Sequence, residues 1–141
     1  MNFSFRRHHL KSCVDFIFIF LTPNYNYPIN KKESYDMLNK TITFFEALTL
    51  GNINIVENLI DEDCKYFNWI QTYHNKKNVV NAFQHMISSA KTVYVKFDTI
   101  HNFNDIVFTE IKLTLDKRVV NLCFVLNFQN NKIVKINGYK R

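Results

Sequence analysis

Apolar residues recur at helical spacing through the first part of the chain and in alternation through the second. From Met37 to Leu50 the apolar positions Leu38, Ile42, Phe45 and Leu48, with Phe44 beside them, share one helix face. Gly51 supplies a C-terminal stop, and Asn52 is a candidate cap for a next helix carrying Ile55, Val56, Leu59 and Ile60. Asp61, Glu62 and Asp63 read as a solvated corner. Cys64 to Trp69 then alternates, which predicts a short strand with Cys64, Tyr66 and Asn68 on one face. Asn75 is placed to cap a helix running to about Ser89, with Val79, Val80, Phe83 and Ile87 on its inner side. Four alternating runs near 92–101, 105–115, 118–128 and 132–139 finish the chain. The turns between them are Asn102-Phe103-Asn104, Asp116-Lys117 and Asn130-Asn131. Helices followed by a meander of strands predict an α+β domain over 37–141, its helices on one face of an antiparallel sheet.

The first thirty-six residues do not share this pattern. Arg6, Arg7 and Lys11 precede the apolar run Val14–Leu21, an order similar to a secretory signal. Asp15 within the run, its bulky aromatics and the lack of a small-x-small cleavage site count against that reading. The run is also well short of the roughly 20 residues a bilayer span needs, so no stable membrane span is expected. Residues 22–36, with Pro23 and Pro28, read as linker. The preferred reading of 1–36 is a poorly structured extension or a mis-assigned start, with the folded unit beginning near Met37. A signal or anchor and a docked structural arm are the alternatives.

Composition adds three things. Asparagine is abundant while Gly and Pro number two each, so Asn is expected to take left-handed turn positions. The net charge of +6 comes from lysines scattered among acids, a weak pattern for nucleic acid, which is not expected as a partner. Cys13, Cys64 and Cys123 form no Cys-x-x-Cys and lie near no His at ligand spacing. No metal or cofactor is therefore expected, and reduced thiols in a cytoplasmic protein are the default reading.

Several segments together resemble a known family. Phe44-Phe45-Glu46-Ala47-Leu48 followed by Gly51-Asn52 is similar to the opening helix of SnoaL-like, nuclear transport factor 2-like (NTF2-like) domains. Leu59 to Asn68 resembles the family's strand entry, Asn75 to Val80 its next helix start, and Asn131-Lys132-Ile133 through Tyr139 its closing strand. The resemblance implies a cone, in which a curved sheet wraps helices around a pocket. Such domains include hydrolases and isomerases as well as modules without activity, so the fold alone does not give the function.

Within that family the motifs are most similar to limonene epoxide hydrolase. The Tyr and Asn that hold the attacking water there correspond to Tyr66 and Asn68. The Arg and two Asp of that enzyme correspond to Ile111, Leu113 and Gly138, which carry no charge. Water activation needs a base and epoxide opening an acid, so epoxide hydrolysis is not expected. Ile111 and Leu113 share a strand face with Val107, Thr109 and Leu115, so the wall would be apolar and suited to a small apolar ligand. Tyr66 and Asn68 are its candidate polar anchors, and buried structural hydrogen bonds are the competing role. Asp98 is the one strand carboxylate kept as a candidate base, because Glu110 falls opposite to Ile111 by parity. His85 is a candidate at the pocket mouth, with a solvent-facing histidine as the competing reading. Apolar residues on both parities, among them Ile106, Phe108, Val119 and Val125, suggest a covered outer face and hence a homodimer. The favoured reading is a non-catalytic pocket or dimerisation module; the alternative is an isomerase or hydrolase of a small lipophilic substrate.

Overall fold

The computed structural model describes residues 31–141. Three helices, α1 (Lys31–Leu50), α2 (Ile53–Leu59) and α3 (Lys76–Ser88), pack on one face of a six-stranded sheet. The strands are β1 (Ile60–Phe67), β2 (Thr72–His74), β3 (Val93–Phe103), β4 (Ile106–Leu115), β5 (Arg118–Gln129) and β6 (Lys132–Lys140). Their order across the sheet is β2-β1-β6-β5-β4-β3. Only the β1–β6 pair is parallel; the other four are antiparallel. The α+β architecture expected from the alternation, and the cone implied by the resemblance, are observed, the curved sheet left unclosed.

Two boundaries differ from the sequence reading. Helix α1 begins by Lys31, six residues before Met37, so residues 31–36 are not linker. Lys31–Asp36 contains no Gly or Pro, Asp36 pairs with Lys40 at 2.8 Å one turn on, and Asn102 Nδ2 donates to Ser34 Oγ, tying this turn to β3. The remainder of the expected extension, residues 1–30, lies outside the described residues. Strand β1 begins at Ile60, directly after α2, and not at Cys64. The exposed acids Glu62 and Asp63 are therefore strand residues, accommodated where the β1–β6 register shifts between Ile60 and Lys65.

Asparagine does take the turns. Asn130 and Asn131 both have positive φ, 49° and 62°, as a two-residue hairpin turn with right-handed flanking strands requires. Asn104 and Asp116 hold φ of 53° and 54° in the other two hairpins. The first of these turns is Asn104-Asp105, because β3 runs on to Phe103. Gly51, at φ +68°, ends α1, and the Asn52 amide donates back to Ala47 O at 2.8 Å. Asn75 caps α3 through its side chain, which accepts from the Asn78 amide at 3.1 Å; Asn52 makes no such bond at α2.

The core lies between the helices and the inner face of the sheet. Val107, Thr109, Ile111, Leu113 and Leu115 alternate inward along β4 as parity requires, and all five are buried. Cys64 is a free buried thiol, as expected; Cys123 is buried too but is not free.

Candidate functional site

Of the candidate ligand residues, Tyr66, Ile111 and Leu113 are buried on the inner side of the sheet, and aromatic rings occupy that interior. Tyr66 on β1 stacks on Phe83 of α3 at 4.6 Å between centroids and on Tyr73 of β2 at 5.6 Å. Phe83 meets Phe44 of α1 edge-on at 5.1 Å, and Phe44 meets Phe45 at 5.1 Å. Phe45 in turn contacts Phe97 of β3 at 5.7 Å and Phe124 of β5 at 5.2 Å. The rings form one continuous chain from β2 across two helices to β3 and β5. These separations are ordinary packing distances for aromatic pairs, each worth about 0.5–1.5 kcal/mol beyond area burial.

Gly138 sits on β6 directly opposite Phe124. A Cβ at this position would stand 2.9 Å from Phe124 Cε1 and 3.4 Å from its Cδ1. The Phe124 ring thus occupies the space into which a side chain at 138 would project. Ile111 and Leu113, the other two positions where the resemblance implied charged residues, are 2% and 4% exposed on the inner face of β4. They pair with Phe97 and Val95 on one side and Leu122 and Val120 on the other. Strands β1 and β4 stand three places apart in the sheet, about 14 Å along its curve at the usual inter-strand spacing.

The remaining sequence candidates are dispersed. Tyr66 is 6% exposed, and burial pushes its hydroxyl up to about 12, against a lowering by the Asn68 side chain. It remains protonated near neutral pH and cannot serve as a base there. Asn68 is not on the strand: β1 ends at Phe67, and Asn68 closes the β1–β2 hairpin. Its amide donates to Gln71 O at 3.0 Å, while its Oδ1 accepts from the Ile70 and Gln71 amides, both at 2.9 Å. Alternation assigned Asn68 to the Tyr66 face, but an Asn side chain that satisfies the backbone two and three residues on favours the turn.

Asp98 is the extra residue of a bulge in β3, between Phe97 opposite Ile111 and Thr99 opposite Glu110. It is exposed, and its carboxylate stands 3.9 Å from Lys112 Nζ on the outer face. His85 is exposed on α3, away from the buried face of Val79, Val80 and Phe83. Neither lies on the inner wall. The buried inner hydroxyls are committed as well, Thr41 to Met37 O at 2.9 Å and Thr109 to Thr99 O at 2.6 Å.

Sequence reasoning missed how deeply Glu110 is buried. Parity put it on the outer face correctly, but it is 4% exposed, accepts from Thr99 Oγ1 at 3.1 Å and lies 3.4 Å from Arg141 Nη1. Its cross-strand neighbours Thr99 and Cys123, one on each side, were the available signal. Among the described residues no cluster of His, Cys, Asp or Glu could hold a metal ion, and no helix is long and apolar enough to cross a membrane.

A family model for the SnoaL-like domain matches residues 42–136. The chain belongs to the SnoaL-like domain family. No curated protein sequence matches it. Solved structures share the fold of this SnoaL-like domain at low identity. An LEH-like epoxide hydrolase of M. tuberculosis superposes with a TM-score of 0.67 at 18% identity, covering 77% of this chain and 85% of that one. An NTF2-like protein of unknown function from Mesorhizobium loti gives 0.70 at 16%, with 82% and 97% covered. A protein of ketosteroid isomerase-like fold from Catenulispora acidiphila, in complex with trimethylamine, gives 0.63 at 16%, with 71% and 83% covered. At such identity these likenesses establish the NTF2-like fold of the SnoaL-like domain and nothing about its chemistry.

Proposed function

We propose that this SnoaL-like domain is a non-catalytic module that acts by pairing with a second copy across the outer face of its sheet. The observation that carries the reading is the occupied interior: the position corresponding to a catalytic Asp is Gly138, with the Phe124 ring in the side chain's place. Acid and base groups typically contribute about 10²–10⁴-fold each, and burial holds both Tyr66 and Cys64 on the inner face protonated near neutral pH. A small apolar ligand anchored by Tyr66 and Asn68 has less support, since ring stacking and the hairpin already engage both. Support for pairing comes from the outer face. Tyr94 and Val119 there are each 58% exposed and flank Thr114 in one cross-strand row, an exposed apolar pair beside the polar row of Lys96, Lys112 and Asn121.

Sedimentation equilibrium of the intact chain tests the pairing. A dimer at about micromolar concentration is expected, shifted to monomer by Val119→Lys. A monomer throughout that range, or a dimer indifferent to Val119→Lys, overturns it. A panel of epoxides and of ketosteroids tests the non-catalytic part. No turnover above the buffer rate is expected, whereas turnover that disappears in Tyr66→Phe would establish a hydrolase or isomerase.

A further inference from the structure

The hairpin joining β1 to β2 turns two large apolar side chains outward. Trp69 is 48% exposed and Ile70 is 76% exposed. Phe67 and Tyr139, at 40% and 43%, extend the apolar surface from the tip onto the sheet, their rings 6.3 Å apart. The tip is tied: the Asn68 side chain and backbone close the loop through three hydrogen bonds, and Gln71 Nε2 donates to the Tyr73 hydroxyl behind it. A polar pair would complete such a turn equally well, so the fold does not require Trp and Ile there.

Strand direction places this tip in a charged setting. Because β1 and β6 run parallel, the hairpin lies at the end of the sheet where β6 finishes with Tyr139 and Lys140. The same end, staggered along the strands, carries the β4–β5 turn with Lys117 and Arg118, and Lys91 before β3. The acid there, Asp116, is turned to structure, its Oδ1 accepting from the Lys91 and Thr92 amides. The carboxylates Asp61, Glu62, Asp63 and Asp105 lie at the opposite end, where β1 and β4 begin. One end of the sheet therefore combines an exposed apolar tip with exposed cations.

From this juxtaposition we infer that the β1–β2 hairpin docks onto the surface of an anionic lipid bilayer. Trp69 and Ile70 enter the interfacial region, and Lys140 with Lys117 and Arg118 faces the headgroup phosphates. Indole rings favour the membrane–water interface, and lysine or arginine near an anionic leaflet adds a salt-sensitive attraction. A tip tied in this way loses little conformational freedom on docking. With few inserted side chains the association is peripheral and reversible.

Trp69 is the only tryptophan of the chain, so its emission reports on the tip directly. The intact protein is titrated with phosphatidylcholine vesicles and with vesicles containing about 30% phosphatidylserine, at low and at high salt. The expected result is a blue shift of emission and reduced acrylamide quenching with the anionic vesicles alone, reversed by about 0.5 M salt. Ile70→Asp, at an exposed position, should melt like the parent and lose about tenfold or more in vesicle partition. No change of emission with either vesicle overturns the inference. Undiminished binding of Ile70→Asp also overturns it, since the contact then lies elsewhere in the chain. An equal blue shift with poly-glutamate, or on concentrating the protein alone, overturns it in favour of an acidic polypeptide or a second copy.

Discussion

Substituting Gly138 probes whether the cone is filled as tightly as its rings suggest. In Gly138→Ala the new Cβ meets Phe124 Cε1 at 2.9 Å, closer than real Cβ contacts come, so the ring must move. Phe124 is 2% exposed and its ring packs on Phe45 at 5.2 Å, which leaves it little room. Overpacking of this kind costs about 1–3 kcal/mol. Removing a glycine from the unfolded chain returns about 0.4–1 kcal/mol, so the net loss should be about 1–2 kcal/mol. Thermal melting should then fall by about 3–8 °C. Phe124→Leu removes the Cε1 atom that clashes, so Gly138→Ala should cost about 1 kcal/mol less in that background than in the parent. Gly138→Asp, which also buries a carboxylate against a ring, should lose more than Gly138→Ala and gain no epoxide turnover. Urea unfolding of the four proteins in the cycle measures both quantities. If Gly138→Ala unfolds within about 0.3 kcal/mol of the parent and shows no coupling to Phe124, the ring yields freely. The interior then has slack for a ligand, and the cone is not tightly filled.

Three further outcomes follow from the geometry. Asn68→Ala removes the acceptor of two hairpin amides and should cost about 1–2 kcal/mol in a urea melt, more than Tyr66→Phe; the reverse order would make Tyr66 the principal anchor. Burial raises Cys64 from 9.0 to about 12 and Tyr66 from 10.0 to about 12, so the fold holds these protons while the unfolded chain releases them. Their contribution is complete below pH 9 and declines towards pH 12, a slope that Cys64→Ala and Tyr66→Phe should each flatten in urea melts run at several pH values. A chain beginning at Met37 should melt cooperatively but slightly below one beginning at Lys31, by about 1 kcal/mol or less. It loses the Ser34–Asn102 bond and a half-buried Asp36–Lys40 pair, and a chain from Met37 that fails to fold would show that the first turns of α1 are indispensable.

Much of the fold was legible because each element carries its own period. The α1 face of Phe45 and Leu48, the β4 row of Val107 to Leu115 and the Asn130-Asn131 turn are local patterns that tertiary contacts reinforce. Two of the differences concern polar residues in or beside strands. Asn68 continues the β1 parity but bonds to its own loop. Asp98, whose face was open in the sequence, interrupts β3 as a bulge with its carboxylate outside, and the next inward position after Phe97 is Ile100 and not Thr99. That break in the alternation was present in the sequence, though a break in period reads equally as a weak strand.

The interior is harder, because alternation states which side chains point inward and not whether they meet. Whether a cone encloses a cavity depends on the summed volume of its inward residues against the curvature of the sheet, and that curvature is set by bulges and long-range register. Gly138 is the one position where the sequence came close. A glycine inside a strand often marks the near approach of another group. Opposite a Phe, on an inward position of the closing strand, it marks a ring folded over the backbone. In this chain the bare backbone at 138 and the ring at 124 are two halves of one packing solution, since the space for a side chain at 138 is the space Phe124 fills. An acid placed at 138 alone would therefore meet the Phe124 ring first.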